Sequence, residues 1–202
     1  MNTEGLAKLI RARADSPSRF LVALAGPPAS GKSTLAAELA ATLGPGARVV
    51  PMDGFHYDDT VLEARGQRAL KGAPETYDAA GFLHLIRRLR AEDEVAIPIF
   101  DRALELSRAA ADIVGPDDRI LIVEGNYLLL NRDPWRQLAP LFDLTVFLDV
   151  TEADLIRRLT DRWRHHGKTD AAAQDWITSN DLPNALTVIN GSNKAEITLH
   201  GH

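Results

Sequence analysis

The chain contains no cysteine. That excludes a disulfide framework, a thiol nucleophile and any cysteine metal site. It has no apolar stretch long enough to span a bilayer. Its first residues, Met1-Asn2-Thr3-Glu4-Gly5-Leu6, carry no apolar core of signal-peptide length. The cytoplasm is therefore the expected compartment, away from membranes. A basic excess is missing too: 23 Lys and Arg against 28 Asp and Glu give a net charge of -5. This argues against a general nucleic-acid binder but leaves room for local positive patches, at Arg87-Arg88-x-Arg90 and from Arg157-Arg158 to Lys168. There is no internal repeat, low-complexity tract or linker. With 202 residues, 45% of them hydrophobic, residues 1–202 are expected to form a single globular domain with a real core.

What is present is a phosphate-binding loop. Gly26-Pro27-Pro28-Ala29-Ser30-Gly31-Lys32-Ser33, followed by Thr34, reads G-x-x-x-x-G-K-[ST]. It follows the apolar run Phe20 to Ala25 and opens onto a helical pattern from Lys32 to Leu43, the strand–loop–helix setting that the motif requires. Its glycines allow the backbone to approach a ligand closely. Its N–H groups and the helix N-terminus favour phosphate oxygens. Lys32 supplies a mobile charge for the outer phosphates and Ser33 a hydroxyl for magnesium. ATP with Mg2+ is the expected occupant.

Strand patterns alternate with helical ones. Helices are expected near 3–15, from Lys32, from Asp78 (with Phe82, Leu85, Ile86 and Leu89 on one face), from Thr151 and from about Asp170. Strands are expected at 20–25, 48–52, 95–100, 119–125, 144–150 and 196–199, with Pro51 marking an edge or a strand end. Residues 57–77 read as a loop with one short helix. The pattern predicts an α/β, three-layer P-loop NTPase fold with a mainly parallel central sheet. Leu155, Ile156, Leu159 and Trp163 form the apolar stripe of the helix that starts at Thr151. Adjacent His165 and His166 diverge on a helix and lack a third ligand, so they read as a solvated helix end. His200 and His202 read as a tail.

The residues after the loop narrow its use. Met52-Asp53-Gly54-Phe55-His56, Arg65-Gly66, Lys71-Gly72-x-Pro74-Glu75-x-Tyr77-Asp78, Pro98-Ile99-Phe100-Asp101 and Val123-Glu124-Gly125-Asn126-Tyr127 occur in series. This series resembles the P-loop kinase superfamily of uridine kinase, phosphoribulokinase and bacterial pantothenate kinase, over Phe20 to Leu199. The segment from Lys71 to Asp78 is most like pantothenate kinase, although the chain is shorter than typical members of that family. Glu124-Gly125-Asn126-Tyr127 and Ser179-Asn180-Asp181-x-Pro183-Asn184 look more like a small bacterial branch called nucleoside-kinase-like, some of whose members are called fructose transport system kinases.

The resemblance implies roles. Asp53 stands where the family places the catalytic base for an acceptor hydroxyl, and a carboxylate at that sheet edge suits the task. Glu124 ends a hydrophobic strand, where a carboxylate is costly without a cation or donors; in the family it lies near magnesium or the acceptor. Asp53, Glu124 and Ser33 are thus the candidate metal ligands, with the order of the two acids open. Asp101 and Arg102 correspond to an acceptor-contacting segment, with Arg102 replacing the usual aromatic. Arg108, His56 and Tyr57 are further acceptor candidates. The basic helix with Arg157, Arg158, Arg162 and Arg164 resembles a lid, at about 157–170, with Arg158 and Arg162 on one face and Lys168 beside them. Lid arginines neutralise charge on the transferred group, and closure excludes water.

The expected activity is ATP-dependent phosphoryl transfer to a hydroxyl of a small metabolite: a sugar such as fructose, a nucleoside, or pantothenate. Two other classes stay open. One is a GTPase switch, suggested by Asn193-Lys194-Ala195-Glu196 and Asp112-Ile113-Val114-Gly115, although the latter is placed before a strand. The other is a nucleotide-binding protein without turnover. Oligomeric state is not legible.

Overall fold

The computed structural model describes residues 1–15 and 18–200; His202 lies outside them. Five parallel strands form the main sheet: β1 (Phe20–Ala25), β2 (Ala47–Pro51), β5 (Ile120–Gly125), β6 (Leu144–Asp149) and β7 (Ile197–His200), in the order β2-β5-β1-β6-β7. The helices are α1 (Thr3–Arg13), α2 (Lys32–Leu43), α3 (Asp59–Ala64), α4 (Ala79–Ala91), α5 (Glu152–His165), α6 (Asp170–Trp176) and α7 (Leu182–Gly191).

Successive side chains of a strand point to opposite faces, so β1 and β5 split between two cores. Leu21, Ala23, Ala25, Leu121 and Val123 meet Phe82, Ile86 and Leu89 of α4 on one side. Val22, Leu24 and Ile122 meet Leu6 and Ile10 of α1 and Ala36 and Leu39 of α2 on the other. All are fully buried, each larger side chain contributing about 1.5–3 kcal/mol. This is the three-layer α/β arrangement. Asp78 caps α4 by accepting from Gly81 N at 2.9 Å, and Thr151 caps α5 through Asp154 N at 3.2 Å, as their positions predict. Pro51 closes β2, which is an edge strand.

The structure corrects the expectations in four places. The strand at 95–100 does not join the main sheet; β3 (Val95–Asp101) pairs antiparallel with β4 (Leu106–Val114), a strand that the sequence does not announce, in a separate hairpin with an irregularity between Ile97 and Ile99. Asp112 to Val114 end β4, so that D-x-x-G segment closes a strand as well as preceding β5. The helix from Asp170 continues through a π turn, Ile177–Asp181, into α7. His200 ends β7 and pairs with Asp149 at 3.2 Å, so it is not part of a tail.

Gly54 locks the hairpin to the sheet. It lies in the 3-10 turn Met52–Phe55 after β2. A Cβ there would sit 2.3 Å from the Pro98 carbonyl oxygen, so only glycine permits this approach. The hairpin is thereby held beside the C-terminal edge of the sheet, where open parallel sheets bind ligands.

Candidate active site

The P-loop joins β1 to α2. Gly31, at φ 96°, stands just before α2, and Ala29, at φ 59°, also adopts the left-handed region. Gly31 takes this conformation without penalty; Ala29 takes it at a cost, as residues at ligand-holding loops do. Lys32 is 7% exposed. Its Nζ donates to Pro27 O at 2.8 Å and lies 3.4 Å from Ser30 Oγ. Burial pulls its pKa down to about 8, against the opposing pull of Glu124 and Asp53. The ammonium is thus held beside two carboxylates in a site that disfavours its charge.

Those carboxylates come from neighbouring strands. Pro51 is in register with Glu124, which puts the turn carrying Asp53 next to the end of β5. Ser33 Oγ donates to Glu124 Oε2 at 3.3 Å. Burial, and then Asp53, push the Glu124 carboxyl upward, while Lys32 and Ser33 oppose them. An oxygen-only set of Ser33, Glu124 and Asp53 matches the donor preference of Mg2+, and a cation there would relieve the burial and repulsion that act on Glu124.

These groups line one cavity of about 560 Å³. Pro28, Ala29, Lys32, Ser33, Asp53 and Glu124 form one wall. Gly26, Pro27, Ser30, Gly31 and Thr34 shape the loop behind it and are absent from the lining. His56, Tyr77, Phe100 and Arg102 line the same cavity. His56 stacks on Tyr77 with ring centroids 3.9 Å apart and tilts towards Phe100 at 5.1 Å. Its Nδ1 is buried without a partner. Burial pulls the imidazole down to about 4, so the ring is neutral at pH 7. Arg102 reaches Asp53 at 2.6 Å.

Other acceptor candidates lie off the cavity wall. Tyr57 lies under the Arg65 guanidinium, 4.4 Å from it. Asp101 accepts from Ala103 N and Leu104 N, both at 3.1 Å, and pairs with Arg108 at 3.5 Å; both residues shape the hairpin turn.

Helices α5 and α6 also contribute to the lining of the cavity. Arg162 lines it, 5.5 Å from the Trp163 ring. Arg158 is not in the lining; its NH1 donates to Ser30 O at 2.9 Å, fastening α5 to the P-loop backbone. Lys168 Nζ lies 5.1 Å from the Trp163 ring and 5.2 Å from that of Trp176. Trp163 belongs to the cavity as well as to the apolar stripe: its Nε1 donates to Asp181 Oδ2 at 2.6 Å. His166 also lines the cavity, beyond the solvated helix end read from the sequence.

Sequence reasoning passed over Lys71, Trp163, Trp176, Asp181 and Asn184 as cavity residues. Lys71, Asp181 and Asn184 fall inside the quoted motifs, which was the available signal. Lys71 pairs with Asp59 at 2.6 Å and donates to Glu105 O at 3.1 Å; Asp59 also holds Arg68 at 2.9 Å.

Residues 21–195 match the family model of the "Phosphoribulokinase / Uridine kinase family". A relative from Schizosaccharomyces pombe, named "Putative uridine kinase C227.14", is 37% identical over 183 residues, covering 84% of this chain and 78% of its own length. A Listeria monocytogenes pantothenate kinase is 34% identical over 159 residues, covering 74% of this chain and 51% of its own length. The crystal structure of a "putative fructose transport system kinase" from Silicibacter sp. TM1040 superposes with a TM-score of 0.95 at 44% identity, covering 98% of this chain and 99% of that one.

Proposed function

The chain belongs to the phosphoribulokinase and uridine kinase family, and on that footing we propose that it transfers the γ-phosphoryl group of ATP to a hydroxyl of a sugar or a nucleoside. One observation carries this: Lys32, Ser33, Asp53 and Glu124 line one cavity together with the aromatic set His56, Tyr77 and Phe100. Its volume falls within the roughly 300–1,000 Å³ usual for small-molecule sites.

Lys32 and the P-loop N–H groups bind the phosphates. Ser33 and Glu124, with Asp53 close by, would hold Mg2+, which supplies positive charge to the phosphate oxygens when bound. Asp53 takes the proton from the attacking hydroxyl as its oxygen bonds to phosphorus and the bond to the departing diphosphate breaks. Arg162 faces the cavity as a cation for the transferred group, and Arg158 keeps α5 seated on the loop. Closure of α5 and α6 keeps water, a competing acceptor, from the site.

An uncharged acceptor is supported by the pairing of the cations around its wall. Arg102 is taken by Asp53, and Lys71 and Arg68 share Asp59. A neutral imidazole and two aromatic rings suit a sugar or nucleoside face. Pantothenate is a second reading, favoured by the Lys71 to Asp78 segment and by the Listeria relative; its carboxylate would have to compete with Asp59 for Lys71. A panel of sugars, nucleosides and pantothenate at fixed ATP and magnesium, read by ADP release, tests both. Release that requires a sugar or nucleoside supports the first. Release with pantothenate alone supports the second. Turnover of GTP without any acceptor overturns both.

A further inference from the structure

The π turn Ile177–Asp181 lies where α6 passes into α7. Such turns insert an extra residue into a helix and frequently mark functional positions. Here two consecutive side chains of the turn bind two different elements, Asn180 the 69–71 segment and Asp181 the helix α5. Asn180, 5% exposed, donates through Nδ2 to Ala69 O and Lys71 O, both at 3.2 Å. Its Oδ1 accepts from Asn184 Nδ2 at 2.7 Å, which fixes the orientation of the amide. Asp181 accepts from the indole of Trp163 at 2.6 Å. The segment held by Asn180 presents Lys71 to the acceptor side; the indole held by Asp181 sits on α5 beside Arg162.

We propose that Asn180 and Asp181 are positioning residues that couple the α5–α6 arm to the 69–71 segment, so that nucleotide capture under the arm orders the acceptor wall. The inference rests on the kinase assignment, because it requires a nucleotide under the arm. The Asp181 link is short, at 2.6 Å, the Asn180 links are 3.2 Å, all are half-buried, and they leave adjacent positions of one turn. Movement of α5 therefore pulls on the backbone that carries Lys71. The same segment is also held by Tyr127, whose Oη donates to Gly72 O at 2.6 Å, and by the pairing of Lys71 with Asp59, so the Asn180 bonds set the position of 69–71 within an anchored loop. Coupling between two sites is reciprocal, so an occupied acceptor wall also favours the closed arm.

The test reads hydrogen exchange of the full chain with and without magnesium and AMP-PNP, a non-hydrolysable ATP analogue. In the native chain the analogue should slow exchange across 66–77 by about fivefold or more, the low end of ordinary coupling. Asn180→Ala should keep analogue binding and protection of α5 while losing the response at 66–77. Trp163→Phe keeps an aromatic but smaller side chain, removes the donor to Asp181 and should lose the same response, which provides a second variant if the first does not fold. A response at 66–77 that survives in both variants overturns the coupling, as does binding to the native chain with no response there. Failure of the analogue to bind the native chain overturns the kinase assignment and the coupling together.

Discussion

The Arg102 guanidinium, just past the end of β3, meets the Asp53 carboxylate at 2.6 Å, across the gap between the hairpin and the turn after β2. The pair ties the proposed base to the acceptor wall. An incoming hydroxyl must approach Asp53 beside a cation already in place.

Asp53→Asn is expected to lower the transfer rate by about 10²–10⁴, the usual contribution of a general base, with AMP-PNP affinity changed much less. Arg102→Ala is expected to lower transfer by roughly fivefold to tenfold, a modest loss for a half-exposed pair. Steady-state kinetics beside analogue titration separates the two; transfer by Asp53→Asn at the native rate places the base elsewhere.

Lys32→Ala is expected to abolish transfer while the chain keeps its fold, since the native ammonium is held by the loop's own carbonyl and the α2 helix is secured by Ala36 and Leu39. Circular dichroism and ADP release check the two halves of this statement. In the native chain, Lys32 loses its proton as the pH rises through about 8. Affinity of the nucleotide-free protein for AMP-PNP should therefore fall above that pH, and isothermal titration at pH 7 and 9 measures it.

His56 predicts an acid-sensitive fold. Burial lowers its pKa from 6.5 to about 4. Between those values the unfolded chain takes up a proton that the folded chain refuses, so lowering the pH favours unfolding. The stability is present above 6.5 and is lost progressively towards 4, by about 3 kcal/mol in all. His56→Phe should flatten this part of a urea-melt profile against pH; a slope identical to the native one assigns the proton uptake to another group.

Gly54→Ala tests how the hairpin is seated. The added methyl would lie 2.3 Å from the Pro98 carbonyl oxygen, so the turn and hairpin must part, at a cost of about 1–3 kcal/mol. Arg102 and Phe100 move with the hairpin. The acceptor KM should rise by more than the ATP KM, whereas equal rises in both would mean that the hairpin serves the whole cavity.

The main sheet was legible because β1 and β5 are uninterrupted apolar runs and α4 and α5 carry a helical stripe behind a capping residue. β4 was not. Its Leu106-Ser107-Arg108-Ala109-Ala110-Ala111 stretch has little β propensity, most of it is exposed, and pairing with β3 alone makes it a strand. Lys32, Ser33, Asp53 and Glu124 stood in recognisable motifs. Trp163 was not legible as a cavity residue, because it fits an apolar stripe equally well, and Asn180, although inside a quoted motif, reaches Lys71 O across 109 positions, a proximity no local pattern encodes.

The separate hairpin has one more consequence. The donor half is rooted in five strands and two cores, whereas part of the acceptor wall rides on a two-stranded ribbon seated at Gly54. On the proposed function, substitutions at Phe100 and Arg102 would alter the acceptor side of the cavity while leaving the five-stranded sheet intact.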